Sequence, residues 1–132
     1  MLRKGLTLAT LLAATPLRAA EPMTAAEFEH YAQGKTLYYQ SRGIPYGIER
    51  YMPGRRVLWA FLDEECKSGH WYEDAGQICF VYEDDPDPQC WLFFDTAEGL
   101  KAQFLGDSES DPLIGVEQSP EPMFCPGPEV GV

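Results

Sequence analysis

Between Cys79 and Trp91 the chain reads CFVYEDDPDPQCW, so two thiols bracket four carboxylates and two prolines, with large apolar residues at each edge. Such a stretch offers three chemistries: metal ligation, thiol exchange, or a disulfide across a hairpin. Calcium would need the hard oxygens of Glu83, Asp84, Asp85 and Asp87, but the twelve-residue loop with its central glycine and closing glutamate is missing, and Pro86 and Pro88 interrupt the ligands. Zinc would draw on Cys66, His70, Cys79 and Cys90; that spacing matches no strong zinc pattern. A redox dithiol would show CxxC beside alternating strands and helices, and neither is present. No metal is expected. Four cysteines, an even number in a small chain, instead fit two disulfides if the chain is exported. Opposing Cys79 to Cys90 across a hairpin leaves Cys66 with Cys125, tying the tail beside DEECKSG. By chain entropy the short loop contributes about 3 kcal/mol and the long one about 4 kcal/mol.

Catalytic constellations are scarce. The chain has no GxSxG elbow, no HExxH, no phosphate-cradling glycine loop and no dinucleotide fingerprint. Its two histidines, His30 and His70, fit a helix surface and a strand start beside Trp71. A carboxylate pair of the glycosidase kind is compatible with 21 acids, but that abundance makes no single pair informative. No catalytic residue and no cofactor is assigned.

The start of the chain, MLRKGLTLATLLAATPLRAA, reads as a signal peptide over residues 1–20: Arg3 and Lys4, then an apolar run from Leu6 to Ala14, then small residues up to Ala19 or Ala20. That run is too short to span a membrane, which takes about 20 apolar residues. Membrane insertion is not expected, and the product belongs in a periplasm or outside the cell. The leader takes three of the 10 basic residues and none of the 21 acidic ones, leaving seven against 21, a net charge of −14. Such a field repels phosphate backbones and argues against nucleic-acid binding.

Residues 21–132 have the length of a single domain. Thr24 and Glu27 form a capping box, Met23 and Phe28 a hydrophobic staple, and Gly34 a stop, so a helix of about nine residues is predicted with Phe28, Tyr31 and Ala32 on its buried face. Short aromatic and β-branched runs follow, broken by glycine, proline and acidic turns. They predict strands over 36–41, 46–52, 55–62, 69–73, 77–83, 90–95 and 99–105. Residues 84–89 read as a loop, and a proline-rich extended tail is expected from about residue 119. The predicted fold is mainly β: a short N-terminal helix, then an antiparallel meander forming a curved sheet or small barrel, with two disulfides. The period-two patterns suit either closure.

All 17 aromatic residues lie after the leader, about twice ordinary usage. With Cys79 opposite Cys90, one sheet face carries Val81, Leu92, Phe94 and the disulfide. The other carries Ile78, Phe80, Tyr82, Trp91 and Phe93. That second face, with Trp59, is the candidate binding surface: Trp59, Phe80, Tyr82, Trp91 and Phe93 suit a small apolar or saccharide ligand or a protein partner.

MTAAEFEHYAQGKTLYY, YGIERYMPGRRVLWAF, GHWYEDAGQICFVYEDDPDPQCW and the end CPGPEVGV together resemble a family of small secreted, disulfide-containing, β-rich proteins of Gram-negative bacteria. The resemblance spans nearly the whole chain after the leader. It implies export and paired cysteines and brings no activity with it. The reading is therefore an exported, non-enzymatic binding module. The alternatives are a carboxylate-dependent hydrolase of envelope polysaccharide and a metal-handling protein.

Overall fold

The computed structural model describes residues 5, 7–13, 21–107 and 109–125; the expected cleavage junction near residue 20 and the last residues of the tail lie outside them. Helix α1, Ala25–Ala32, begins with the expected capping box: the Glu27 amide donates to Thr24 Oγ1 at 3.1 Å and the Thr24 amide to Glu27 Oε1 at 3.0 Å. These bonds satisfy two of the donors a helix start leaves free. Phe28 and Ala32 are fully buried and His30 is exposed.

Eight strands follow: β1 Thr36–Ser41, β2 Ile44–Met52, β3 Arg56–Phe61, β4 Lys67–Asp74, β5 Gln77–Tyr82, β6 Asp85–Thr96, β7 Gly99–Phe104 and β8 Leu113–Ser119. Each pairs antiparallel with the next, and β8 pairs back onto β1, closing an up-and-down barrel. The seven predicted strands are all present. Two expectations need correction. Leu113–Ser119 is a strand that the sequence pattern does not predict, and it closes the sheet by pairing with both β1 and β7. Residues 85–89 are not a loop but the first half of β6, which begins at Asp85 opposite Tyr82. Pro86 and Pro88 are tolerated because β7 pairs only from Trp91 onward, so this half of β6 is an edge beside β5.

Strand alternation sends Leu37, Tyr51, Val57, Trp71, Ile78, Phe80, Phe93 and Leu100 inward, where all are buried. Outward positions include Gln40, Arg50, Arg56, His70, Lys101 and Gln103. The outward phase also carries Ile48, Leu58, Val81, Leu92 and Phe94, so charged and apolar residues are interspersed there, whereas a membrane barrel shows a continuous apolar band and strands of about 9–11 residues. Here β1, β3, β5 and β7 have 6 residues each. Among the described residues no helix is long and apolar enough to cross a membrane.

Helix α1 plugs one end of the barrel. The Phe28 ring packs 4.3 Å from that of Phe93, 5.1 Å from Trp71 and 5.5 Å from Tyr51. Arg55, in the 3-10 turn Pro53–Arg55, reinforces the plug by bonding Glu29 at 3.2 Å and lying 4.3 Å over the Trp71 ring. Both expected disulfides are present. Cys79 and Cys90 are directly opposed on β5 and β6, and Cys66 joins Cys125. The segment after β8 is extended and runs as a strap from β1 towards the start of β4. Its Glu121 carbonyl accepts from Thr36 Oγ1 at 2.7 Å, its Pro120 carbonyl from Arg50 Nη1 at 3.1 Å, and Cys125 anchors it at Cys66. This covering explains why Thr36, which points outward, is fully buried.

Candidate functional site in the barrel lumen

An eight-stranded barrel is just wide enough to be filled by its own side chains or to hold one small ligand. This one does both. The half beneath the helix plug is packed, and the opposite half holds a cavity of about 130 Å³. Tyr51, Phe80 and Phe93 form its floor, Tyr39, Trp59, Tyr82 and Trp91 its walls, and Tyr46, Phe61, Lys67 and Asp85 its mouth.

Small residues at inward positions keep this space open. A Cβ on Gly47 would overlap the Trp59 indole, and one on Gly69 would lie 2.7 Å from the Tyr82 ring. Both aromatic side chains therefore pack directly against bare backbone. A larger residue at either position would push a ring into the lumen. Ala102 and Gly115 leave similar room on the β7 and β8 side, with the Tyr39 ring 3.3 Å from where a Gly115 Cβ would stand.

Inside this aromatic space sits one carboxyl group. Glu49 is 3% exposed, and β2 points it inward in phase with Gly47 and Tyr51. Tyr82 Oη donates to Glu49 Oε2 at 2.5 Å, and Tyr51, two residues along β2, points into the lumen on the same side as the carboxyl. Tyr51 in turn lies 2.7 Å from the Tyr39 hydroxyl. Three phenols from β1, β2 and β5 thus converge on one acid. Burial pushes the Glu49 carboxyl up to about 7, against the lowering influence of the Tyr82 and Tyr51 hydroxyls. Desolvation first, and the nearby Glu49 charge second, hold all three phenols well above their ordinary range, so they remain donors.

At the mouth, Lys67 Nζ on β4 pairs with Asp84 Oδ2 at 2.7 Å in the turn between β5 and β6. Tyr46, Trp59 and Phe61 form an aromatic cluster beside it, with ring centroids 5.3 to 6.0 Å apart.

All five residues of the expected binding face, Trp59, Phe80, Tyr82, Trp91 and Phe93, line this one cavity. The expectation of a sheet face was geometrically different, because closure turns the face into the inside of a tube. Phe93 and Phe80 are buried at 3% and 2%, so they form the floor, while Trp59, Tyr82 and Trp91 stand higher on the wall. Glu49, Tyr39, Tyr51 and Lys67 are site residues that the sequence reading missed. The available signal was the segment YGIERYM, where Gly47, Glu49 and Tyr51 share a phase. Ile48 and Met52 occupy the other phase, so alternation alone did not say which side was inside.

The acids that suggested calcium have other partners. The Glu83 carboxylate accepts from the Ser68 amide at 3.2 Å, Asp84 binds Lys67, and Asp85 accepts from the Asp87 amide at 2.9 Å. No group of three His, Cys, Asp or Glu side chains among the described residues is arranged to hold a metal ion. For the hydrolase alternative, the acids of the cavity are Glu49 within and Asp84 and Asp85 at the rim, and Asp84 is already paired.

The fold and site define a plugged, one-mouthed antiparallel barrel with a polar group at the base of an aromatic lumen. Comparison with protein families, curated proteins and solved structures finds none that matches this chain.

Proposed function

We propose that this protein is an exported binding barrel that takes one small ligand into its lumen through the end opposite helix α1. The observation that carries this reading is the buried Glu49 carboxyl facing an open aromatic cavity. A carboxyl in a packed core with no such space costs stability and gains nothing from its position. In a site, a few polar groups fixed within apolar walls orient a ligand. Two disulfides fit an oxidising, exported compartment. The N-terminal leader supports a periplasmic or secreted location. Leu8, Leu11 and Leu12 of that leader are 83 to 94% exposed and take no part in the core.

The test is the mass of the protein purified from its native compartment, measured first under non-denaturing conditions and then denatured without reductant. A native excess weighs the ligand, and a denatured mass lower by four hydrogens verifies both disulfides. Binding of the recovered ligand to refolded protein should weaken at least tenfold in Trp59→Ala and Trp91→Ala. Unchanged affinity in both variants would move the ligand out of the lumen.

A further inference from the structure

We propose that the occupant of the lumen is a small organic cation, a protonated amine carried on a skeleton of about one ring, with Glu49 as its counter-ion. This rests on the reading of the barrel as a ligand carrier and names the class of ligand.

Three independent features favour a cation. The first is the charge balance of the lumen: among the described residues Glu49 is the one acid within it, and the cation nearest its mouth, Lys67, is held by Asp84 at 2.7 Å. Among those residues the ionised carboxylate therefore has no cationic partner inside the barrel, and a buried charge is stable only when paired. The second is the wall. Tyr39, Trp59, Tyr82 and Trp91 line the same space as Glu49, and aromatic rings attract ammonium groups through their π faces. The third is the field outside: the chain carries a net charge of −11 before the leader is subtracted, which draws cations towards the mouth.

Size sets the skeleton. An apolar cavity of about 150 Å³ accepts a benzene ring, and this one measures about 130 Å³ with an open mouth. A single-ring amine fits with its ammonium at Glu49 and its ring between the aromatic walls.

The groups facing Glu49 set the pH response. They are Tyr39 on β1, Tyr51 on β2 and Tyr82 on β5, all held protonated, with Lys67, Asp84 and Asp85 at the mouth. Both histidines are exposed, outside the lumen. Glu49 is then the group that titrates near neutrality, its carboxyl being pushed up to about 7 by burial. Binding of an amine should strengthen as pH rises through that value.

The experiment is calorimetric titration of the oxidised protein with benzylamine, benzyl alcohol and benzoate, at about pH 8.5 and about pH 5. Benzylamine should bind at least about tenfold tighter than benzyl alcohol at the higher pH, with that preference lost at the lower pH and in Glu49→Gln. Tyr82→Phe keeps the charge but removes a donor to it, so its amine affinity should persist with the pH midpoint moved upward. Equal or tighter binding of benzyl alcohol or benzoate to the wild type would overturn the cation and leave the binding barrel standing. No heat from any of the three would overturn both. An amine preference that survives in folded Glu49→Gln would show that another group is the counter-ion and overturn the assignment.

Discussion

Tyr82 and Glu49 lie 33 residues apart in sequence, and the closed barrel brings the phenol to within 2.5 Å of the carboxylate oxygen it donates to. Neither residue is informative alone. Together with Tyr51 and Tyr39 they place a titratable acid at the base of an aromatic tube. The consequences fall on stability as well as on binding.

The raised Glu49 carboxyl makes stability depend on pH. In the folded protein it holds its proton up to about 7, against 4.5 when unfolded. Between these values the native state binds more protons, so stability falls as pH rises from about 4.5 to about 7 and then levels. The loss is about 3 kcal/mol, since each tenfold difference in proton affinity between the folded and unfolded states is worth about 1.4 kcal/mol. Denaturant unfolding of wild type and Glu49→Gln at several pH values should show the slope in the first and not in the second.

Gly47 controls how far Trp59 lies back against the wall. In Gly47→Ala the added methyl meets the indole and the Ala60 carbonyl oxygen, 2.9 Å away, so one of them has to move. Because the indole is partly exposed, it should swing into the lumen, at a cost of about 1 to 3 kcal/mol. The expected result is a shifted tryptophan emission and weaker uptake of any lumen ligand, with the fold retained by circular dichroism.

Phe28 is the stopper of the barrel. It is fully buried among Tyr51, Trp71 and Phe93. Phe28→Ala should cost about 3 to 5 kcal/mol, measured by urea unfolding with the disulfides intact. His30→Ala, on the exposed face of the same helix, should change stability by less than about 0.5 kcal/mol.

The disulfides should separate by location. Removing Cys66–Cys125 as a serine pair frees the strap and deletes the longer cross-link, 59 residues against 11. Chain entropy puts these losses at about 4 and about 3 kcal/mol. The strap lies outside the barrel, so its release should leave lumen binding within about twofold. Loss of Cys79–Cys90, which staples two lumen strands, should weaken it. Thermal unfolding and ligand titration of the two double variants check both statements.

Local physics made much of this molecule legible in its sequence. The capping box at Thr24 and Glu27 needs only residues three apart. Seven strands follow from period-two runs between turn residues, and the Cys79–Cys90 pair follows from the two runs that flank it. The shared face of Phe80, Tyr82, Trp91 and Phe93 comes from the same register, because a strand alternates whatever its neighbours are.

What the sequence left open depended on pairings across long separations. Leu113–Ser119 carries a weak strand signal, with Gly115 and the acid Glu117 in a short run, and it becomes a strand because β1 and β7 both offer it unpaired edges. That one pairing decides between an open sheet and a barrel. It also decides which face of β2 is inside, and so converts Glu49 from an ordinary surface acid into a buried one. Tyr51 and Trp59 neighbour Glu49 along β2 and across the β2–β3 hairpin, but its proximity to Tyr82 exists only after closure, because no local rule relates residues that far apart in the chain. The sequence by itself determined the helix, seven of the eight strands and the cross-links; closure of the barrel by the eighth strand created the lumen and its chemistry.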